Sequence, residues 1–501
     1  MINELSEKKL HELKNKNFFD EININRGIEK EFFRVDQNGH ISKRPHPKEL
    51  GSALTNKYIT TDFAEAQLEL VTPVFKNIDD LHNFLHKLHE FVAHNIHKDE
   101  MLWPFSMPPH IKDESEINLG YYHQSNIGLL KHVYRRGLKV RYGSTMQCVS
   151  GMHYNFSVDE LSLNKLVGGA SQDNYNKAYL GLIRNFKRLF WFILCEFGQT
   201  NIVDKSFIKN RAHNLNKLNE KDFFLKNATS LRMSEIGYVS EAQKNLNVKY
   251  NSIEEFLLKI RDAIKIPYTE FKQKGLLDED DNYHQISDGV IQIENEYYDS
   301  IRPKRASEIG LRPYEQIKKF GIEYLEVRGI DIDSNEVTGI SKNHIMFLDL
   351  ILIYCLVSES PKITDEEKLR IDKNDLEAVY AGRDENTILT FGSEQKTIRD
   401  AKRHIYRDLL TLAEYFKDNK KFIDSISYVK KYSKADLPQT SFHEDGIKKA
   451  KKVTKFLREH ENNKFDNIKY ETEMSLSRLK NINENTSEEM NNFVKNYNEG
   501  I

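Results

Sequence analysis

Arg26-Gly27-Ile28-Glu29-Lys30-Glu31-Phe32-Phe33-Arg34-Val35 alternates in the manner of a β-strand. Successive strand side chains point to opposite faces, so Glu29 and Glu31 share one face while Ile28 and Phe32 share the other. Two carboxylates held that close repel, and both stay ionised at low cost only with a cation between them. The same pattern returns in Glu65 and Glu69, His153 and Asn155, Glu294 and Glu296, and Glu326 and Arg328. A sheet that repeatedly offers oxygen and imidazole ligands from one face reads as a floor for magnesium and phosphate.

Around that core the chain reads as a soluble protein. Its 501 residues are enough for a large core and, by length alone, for two or three domains. Lys plus Arg (74) balance Asp plus Glu (76), which argues against a non-specific nucleic-acid or membrane surface. Cys148, Cys195 and Cys355 are widely spaced and odd in number, as expected of a reducing cytoplasm. The first residues carry no apolar signal region. The apolar runs Leu189 to Cys195 and Ile345 to Val357 are shorter than the ~20 residues that span a bilayer, and the second contains Asp349. Both read as buried core helices.

Periodicity supplies the rest of the outline. A short amphipathic helix runs to about Asp20, and Ile78 to Ile96 is helical, with Leu81, Leu85, Leu88 and Val92 on one face. Tyr58 to Val74 is ambiguous, with a strand favoured in its second half. Gly151 to Ser157, Val290 to Tyr298 and Ile322 to Ile330 read as strands, and residues 174–197 as a long helix. From about residue 341 the chain turns mostly helical, with amphipathic stretches at 398–417 and 445–460. The expected class is α+β with a mostly antiparallel sheet. Residues 1–340 would form the catalytic sheet region, and 341–501 a helical part packed on it as an integral layer.

The acids Glu29, Glu31, Asp62, Glu69 and Glu326 would carry a formal charge of about −5, and His153 adds a neutral nitrogen ligand. Magnesium takes one or two protein carboxylates and fills its octahedron with water or phosphate oxygens. The set therefore suits two or three ions bridged by the phosphates of a nucleotide. The competing reading is unrelated surface acids; the apolar neighbours Leu68, Leu70, Leu325 and Val327 weigh against it. Arg302-Pro303-Lys304-Arg305 is either a basic turn in solvent or, with Arg328, a set of cations facing a transferring phosphoryl group. His82, His86 and His89 have spacing that could bind zinc, but a solvated polar face opposite the apolar stripe is the better reading. No glycine-rich phosphate loop, dinucleotide fingerprint or nucleophile elbow occurs in the sequence.

Several ordered segments resemble glutamate–cysteine ligase (γ-glutamylcysteine synthetase) of the proteobacterial type. They are Arg26 to Glu31, Gly51 to Thr55 with Ile59 to Ala66, Ser125-Asn126 with Gly128, and Tyr134-Arg135 to Gln147. Ser150 to Ser157, Thr229 to Arg232, Gln292 to Glu296, Ile301 to Arg305 and Ile322 to Arg328 follow in the same order. The resemblance covers about residues 20 to 360. It implies a glutamine synthetase-like funnel: a curved, largely antiparallel sheet covered by helices. It also implies ATP-dependent joining of the L-glutamate γ-carboxylate to the amine of L-cysteine through a γ-glutamyl phosphate, the first step of glutathione synthesis.

By position, the resemblance assigns Glu29, Asp62 and Glu69 to one magnesium and Glu31, His153 and Glu326 to another, with Mn²⁺ able to substitute. It sets Arg328, with Arg302 nearby, against the transferring phosphate. Tyr134, Leu138, Gln147, Tyr238 and Tyr298 would line a cysteine pocket, and Arg232 would clamp a substrate carboxylate. Members of this branch are usually monomeric and cytoplasmic. Lys30 and Phe32-Phe33 stand where the family more often has Arg and Thr-Leu, and residues 204–227 match poorly. Two rivals stay open: a related carboxylate–amine ligase with another acceptor, and a non-catalytic metal-binding protein on the same sheet.

Overall fold

The stretch that opens the reading forms β1 (Ile24–Val35), an interior strand of an open, antiparallel sheet in a computed structural model. The structure describes residues 5–209, 211–237, 240–306, 311–432, 440–460, 465–484 and 489–500. Next come β2 (Ile59–Thr61), β3 (Gln67–Val71), β4 (Met101–Leu102) and β5 (Met152–Val158). Three short strands, β6 (Ile202–Asp204), β7 (Asn216–Lys217) and β8 (Asp222–Phe224), make a separate small sheet. With β9 (Ile301–Lys304) and β10 (Tyr324–Ile330), the main sheet runs β2-β3-β1-β5-β10-β9, and β4 pairs the far end of β1.

Register decides which side chains meet. Glu31 lies opposite Glu69, Glu29 opposite His153, Asn155 opposite Glu326, and Glu326 opposite Arg302. Opposed residues of an antiparallel pair share a face, so five strands deliver their polar and ionisable groups to one side. Ile28, Phe32, Leu68, Leu70, Tyr154, Phe156, Leu325 and Val327 fall on the other side and are buried.

That apolar face is covered by the helices Ile78–Asn95, Gln172–Phe197 and Lys342–Val357, which share one core cluster with it. Asn77 caps the first by accepting the amides of Asp79 (2.7 Å) and Asp80 (3.3 Å). Gly329 lets the second approach: a Cβ there would lie 2.2 Å from Phe190. The third is the apolar run expected to be a core helix. Its Asp349 is buried beneath the sheet, taking Arg26 Nε at 2.8 Å and the Tyr154 hydroxyl at 2.5 Å. Among the described residues no helix is long and apolar enough to cross a membrane.

Two expectations fail. Val290–Tyr298 is loop with a single 3₁₀ turn at Glu294–Glu296, because arginines capture both acids. Glu294 pairs with Arg312 (2.9 Å) and Glu296 with Arg141 (3.1 Å), away from the ligand face. The histidine stripe is not a solvated face, because each histidine packs on a different segment, His86 against Phe456 of the carboxy-terminal helix Phe442–Glu459. His89 is buried and contacts Lys30 Nζ at 2.8 Å, while His82 meets the Ile340 carbonyl at 3.2 Å. The carboxy-terminal region also contains a hairpin, β11 (Ile388–Phe391) and β12 (Glu394–Thr397), that the helical reading passed over.

Candidate active site

On the ionisable face the residues converge around buried His153. Its Nδ1 lies 3.3 Å from Glu29 Oε2 and 3.9 Å from Glu326 Oε1, and its Nε2 lies 3.5 Å from Glu31 Oε1. Asn155 Nδ2 donates to Glu29 Oε1 at 2.8 Å, and the Gly151 amide donates to Glu31 Oε2 at 2.7 Å. Glu29, Glu69 and His153 each present a ligand atom within 4.8 Å of the others. This triad cuts across the two ligand sets that position alone implied, with His153 between Glu29 and Glu31. Asp62 stands at the same cavity wall as Glu31 and His153.

The electrostatics of the cluster suit a bound cation. Burial, then the nearby Asp62 and Glu69 charges, raise the Glu31 carboxyl well above its ordinary range. Burial, with Glu29 and Asp62, pushes Glu69 up to about 8. Burial opposes ionisation of Glu29 as well, but the His153 hydrogen bond together with the His153 and Lys304 charges outweighs it and holds that carboxyl below its usual value. Burial, helped by Arg328, keeps His153 neutral near pH 7, with a nitrogen lone pair to give. Gly151 leaves room above these groups: a Cβ there would meet Arg232 Nη1 at 3.1 Å and His153 Nε2 at 3.4 Å.

At the other margin Glu326 is held ionised. Burial would raise it, but Arg302, Lys304 and Arg328 drive it well below the carboxylate range. Arg302 donates Nε (2.9 Å) and Nη2 (2.7 Å) to Glu326 Oε2, and Nη1 to the carbonyls of Asn295 and Tyr297. Its donors are thereby committed to the protein, so it positions Glu326. Arg328 Nη1 lies 3.3 Å from Glu326 Oε2 and lines the cavity. The 302–305 stretch is therefore no basic turn in solvent: Arg302 and Pro303 are buried and Lys304 is partly so. Glu65, grouped with Glu69 in the sequence pattern, instead accepts the amides of His46 and Tyr121, both at 2.9 Å.

A cavity of about 440 Å³ opens on this floor, and Glu31, Asp62, His153, Arg232, Tyr298 and Arg328 are part of its wall. Arg232 is anchored through Nε to Asp331 (2.8 Å) and through Nη2 to the carbonyls of Arg328 (3.0 Å) and Ile330 (2.9 Å). This leaves Nη1 on the Gly151 side. Gln147 Nε2 donates to the Tyr298 hydroxyl at 3.2 Å. Tyr134 and Leu138, one turn apart on the helix Asn126–Tyr142, pack in the cluster that holds Cys148 and Val149. Tyr238 lies outside the described residues. Sequence reasoning missed Lys187, Lys368, Asp372 and Asp375 in the same wall. Lys187 had a faint signal, a charge inside the apolar part of a long helix, but the others sit in a polar helix with none.

Known proteins resemble this chain over most of its length. The glutamate–cysteine ligase family profile matches residues 8–378. The glutamate–cysteine ligase of Hahella chejuensis is 42% identical over 365 residues, covering 72% of this chain and 69% of that one. Its counterpart in Baumannia cicadellinicola is 40% identical over 400 residues, covering 78% and 76%. A crystal structure of glutamate–cysteine ligase from Francisella tularensis in complex with AMP superposes with a TM-score of 0.90 at 29% identity, covering 96% of this chain and 98% of that one. A bifunctional glutathione synthetase from Pasteurella multocida shares the fold at a TM-score of 0.62 and 22% identity, covering 94% of this chain and 54% of that one.

Proposed function

The chain belongs to the glutamate–cysteine ligase family, and from that premise we propose how its residues carry out the reaction. It is an ATP-dependent ligase that joins L-glutamate to L-cysteine, the first step of glutathione synthesis. The observation that carries the residue-level reading is the register that brings Glu29, Glu31, Glu69, His153 and Glu326 to one face from four strands.

A carboxylate is a poor electrophile, so the γ-carboxylate of glutamate first attacks the γ-phosphorus of ATP and ADP leaves. The cysteine amine then attacks the acyl phosphate carbonyl, phosphate departs, and the nitrogen loses a proton. Glu29, Glu31, Asp62, Glu69, His153 and Glu326 would hold two or three magnesium ions, which supply neutralisation of the phosphate oxygens when bound. Arg328 faces the transferring phosphoryl group, with Arg302 setting the position and charge of Glu326. Arg232 Nη1 faces a substrate carboxylate. Tyr298 and Gln147, joined by their hydrogen bond, form part of the cysteine slot with Tyr134, Leu138 and Tyr238. Water must be excluded before the amine attacks, because the acyl phosphate hydrolyses.

The carboxy-terminal helices after residue 340 act as an integral layer, supported by the shared core of Ile345–Val357 with the sheet. The protein works as a monomer in the cytoplasm. Phosphate release with glutamate, ATP, Mg²⁺ and a panel of amines tests the reading. Cysteine should be the preferred acceptor and 2-aminobutyrate a slower one, since a methyl-sized difference in such a slot is worth ~1–3 kcal/mol. Equal rates for serine and cysteine would count against the pocket.

A further inference from the structure

The cavity wall carries a second charged group that the metal floor does not use. The helix Gln172–Phe197 brings Lys187, the segment before β9 brings Asp299, and the helix Asp365–Ala381 brings Lys368, Asp372 and Asp375. Two of the carboxylates are satisfied. Asp299 takes Lys187 Nζ at 2.6 Å and the hydroxyls of Tyr250 (2.7 Å) and Tyr297 (3.0 Å). Asp372 takes Lys368 Nζ on both oxygens, at 2.6 and 2.5 Å. Asp375 is not: its Oδ1 is buried and accepts no hydrogen bond. A buried carboxylate oxygen without a donor is costly, and in a substrate cavity it marks where a ligand's donor belongs.

Asp375 shares a helix face with Asp372 and Lys368, three and seven residues earlier. The wall therefore sets an acid whose Oδ1 has no donor beside the Lys368–Asp372 ion pair at the rim. It also adjoins the reaction floor, since the Arg328 amide donates to the Ser300 carbonyl at 2.8 Å, one residue beyond Asp299. An adjacent acid and cation match the head of an amino acid, which carries ammonium and carboxylate on one carbon. We propose that Asp375 accepts the α-ammonium of glutamate, with Lys368 turned to its α-carboxylate, so that the γ-carboxylate extends to the metal floor. The inference rests on the ligase reading above. Cysteine does not fit this place, because its ammonium becomes the nucleophile and must stay beside the γ-carbon. Burial pushes the Asp375 carboxyl well above the ordinary range against the pull of Lys187, and a ligand ammonium would restore its charge.

The test is steady-state kinetics of the full chain with ATP and Mg²⁺, using glutamate, glutarate (no ammonium) and 4-aminobutyrate (no α-carboxylate). Loss of one charge-assisted hydrogen bond in Asp375→Asn should raise the glutamate KM roughly 10- to 100-fold. It should narrow the preference for glutamate over glutarate by the same factor and leave the cysteine and ATP KM values in place. Lys368→Met, at the partly exposed rim, should weaken glutamate but not 4-aminobutyrate, and it reports even if the Asp375 variant does not fold. A wild type that uses glutarate as well as glutamate would overturn the assignment, as would an Asp375→Asn defect confined to ATP or cysteine, or a Lys368→Met enzyme with unchanged glutamate KM. A wild type that forms no γ-glutamylcysteine would instead refute the ligase reading itself.

Discussion

Loading the carboxylate floor with Mg²⁺ should expel protons. In the metal-free protein, burial and the neighbouring Glu29 and Asp62 charges set Glu69 at about 8, so at pH 7 this carboxyl is roughly nine-tenths protonated. Burial, then the Asp62 and Glu69 charges, shift Glu31 in the same direction. Metal ligation requires the carboxylate form, so binding should release about one proton from Glu69 at pH 7, with any further release coming from Glu31. Affinity should then rise roughly tenfold per pH unit for each proton released, levelling off above about pH 8. Both carboxyls are raised above the 4.5 of an ordinary glutamate, so the unfolded chain binds fewer protons than the fold above that value. The metal-free protein should therefore lose stability as pH climbs from about 4.5 through 8, and Mg²⁺ should restore it most at the alkaline end. Calorimetric titration in buffers of different ionisation enthalpy counts the protons, and melting temperatures with and without Mg²⁺ follow the stability. A heat of binding that does not change with the buffer would refute the argument.

Other consequences can be checked directly. Glu29→Gln keeps the shape and the neighbouring Asn155 contact but removes the charge, and should abolish phosphate release with little change in melting temperature. Asp349→Ala strands Arg26 and the Tyr154 hydroxyl beneath the sheet, and should destabilise the protein by about 3–5 kcal/mol in denaturant titration. Gly151→Ala pushes a methyl to 3.1 Å from Arg232 Nη1, and should reduce kcat/KM while far-ultraviolet circular dichroism stays unchanged.

What could be read from sequence and what could not divide along physical lines. Alternation with period two put Glu29 and Glu31 on one side of β1 and Ile28 and Phe32 on the other, because side-chain direction along a strand is a local property. Helices such as Ile78–Asn95 and Gln172–Phe197 were legible for the same reason, through their apolar period. Partners lie elsewhere in the chain and leave no local trace. Glu294 and Glu296 alternate as convincingly as Glu29 and Glu31, yet distant arginines claim both. His89 looked solvent-facing, yet packing turns it onto β1, where it meets Lys30 Nζ and stacks on Phe32. Asp375, in a helix of ordinary polar composition, reaches the cavity only through packing against the Gln172–Phe197 helix. The amino-acid order determined which residues could share a face; only the tertiary register and packing decided which faces meet, because burial and charge pairing depend on segments far apart along the chain.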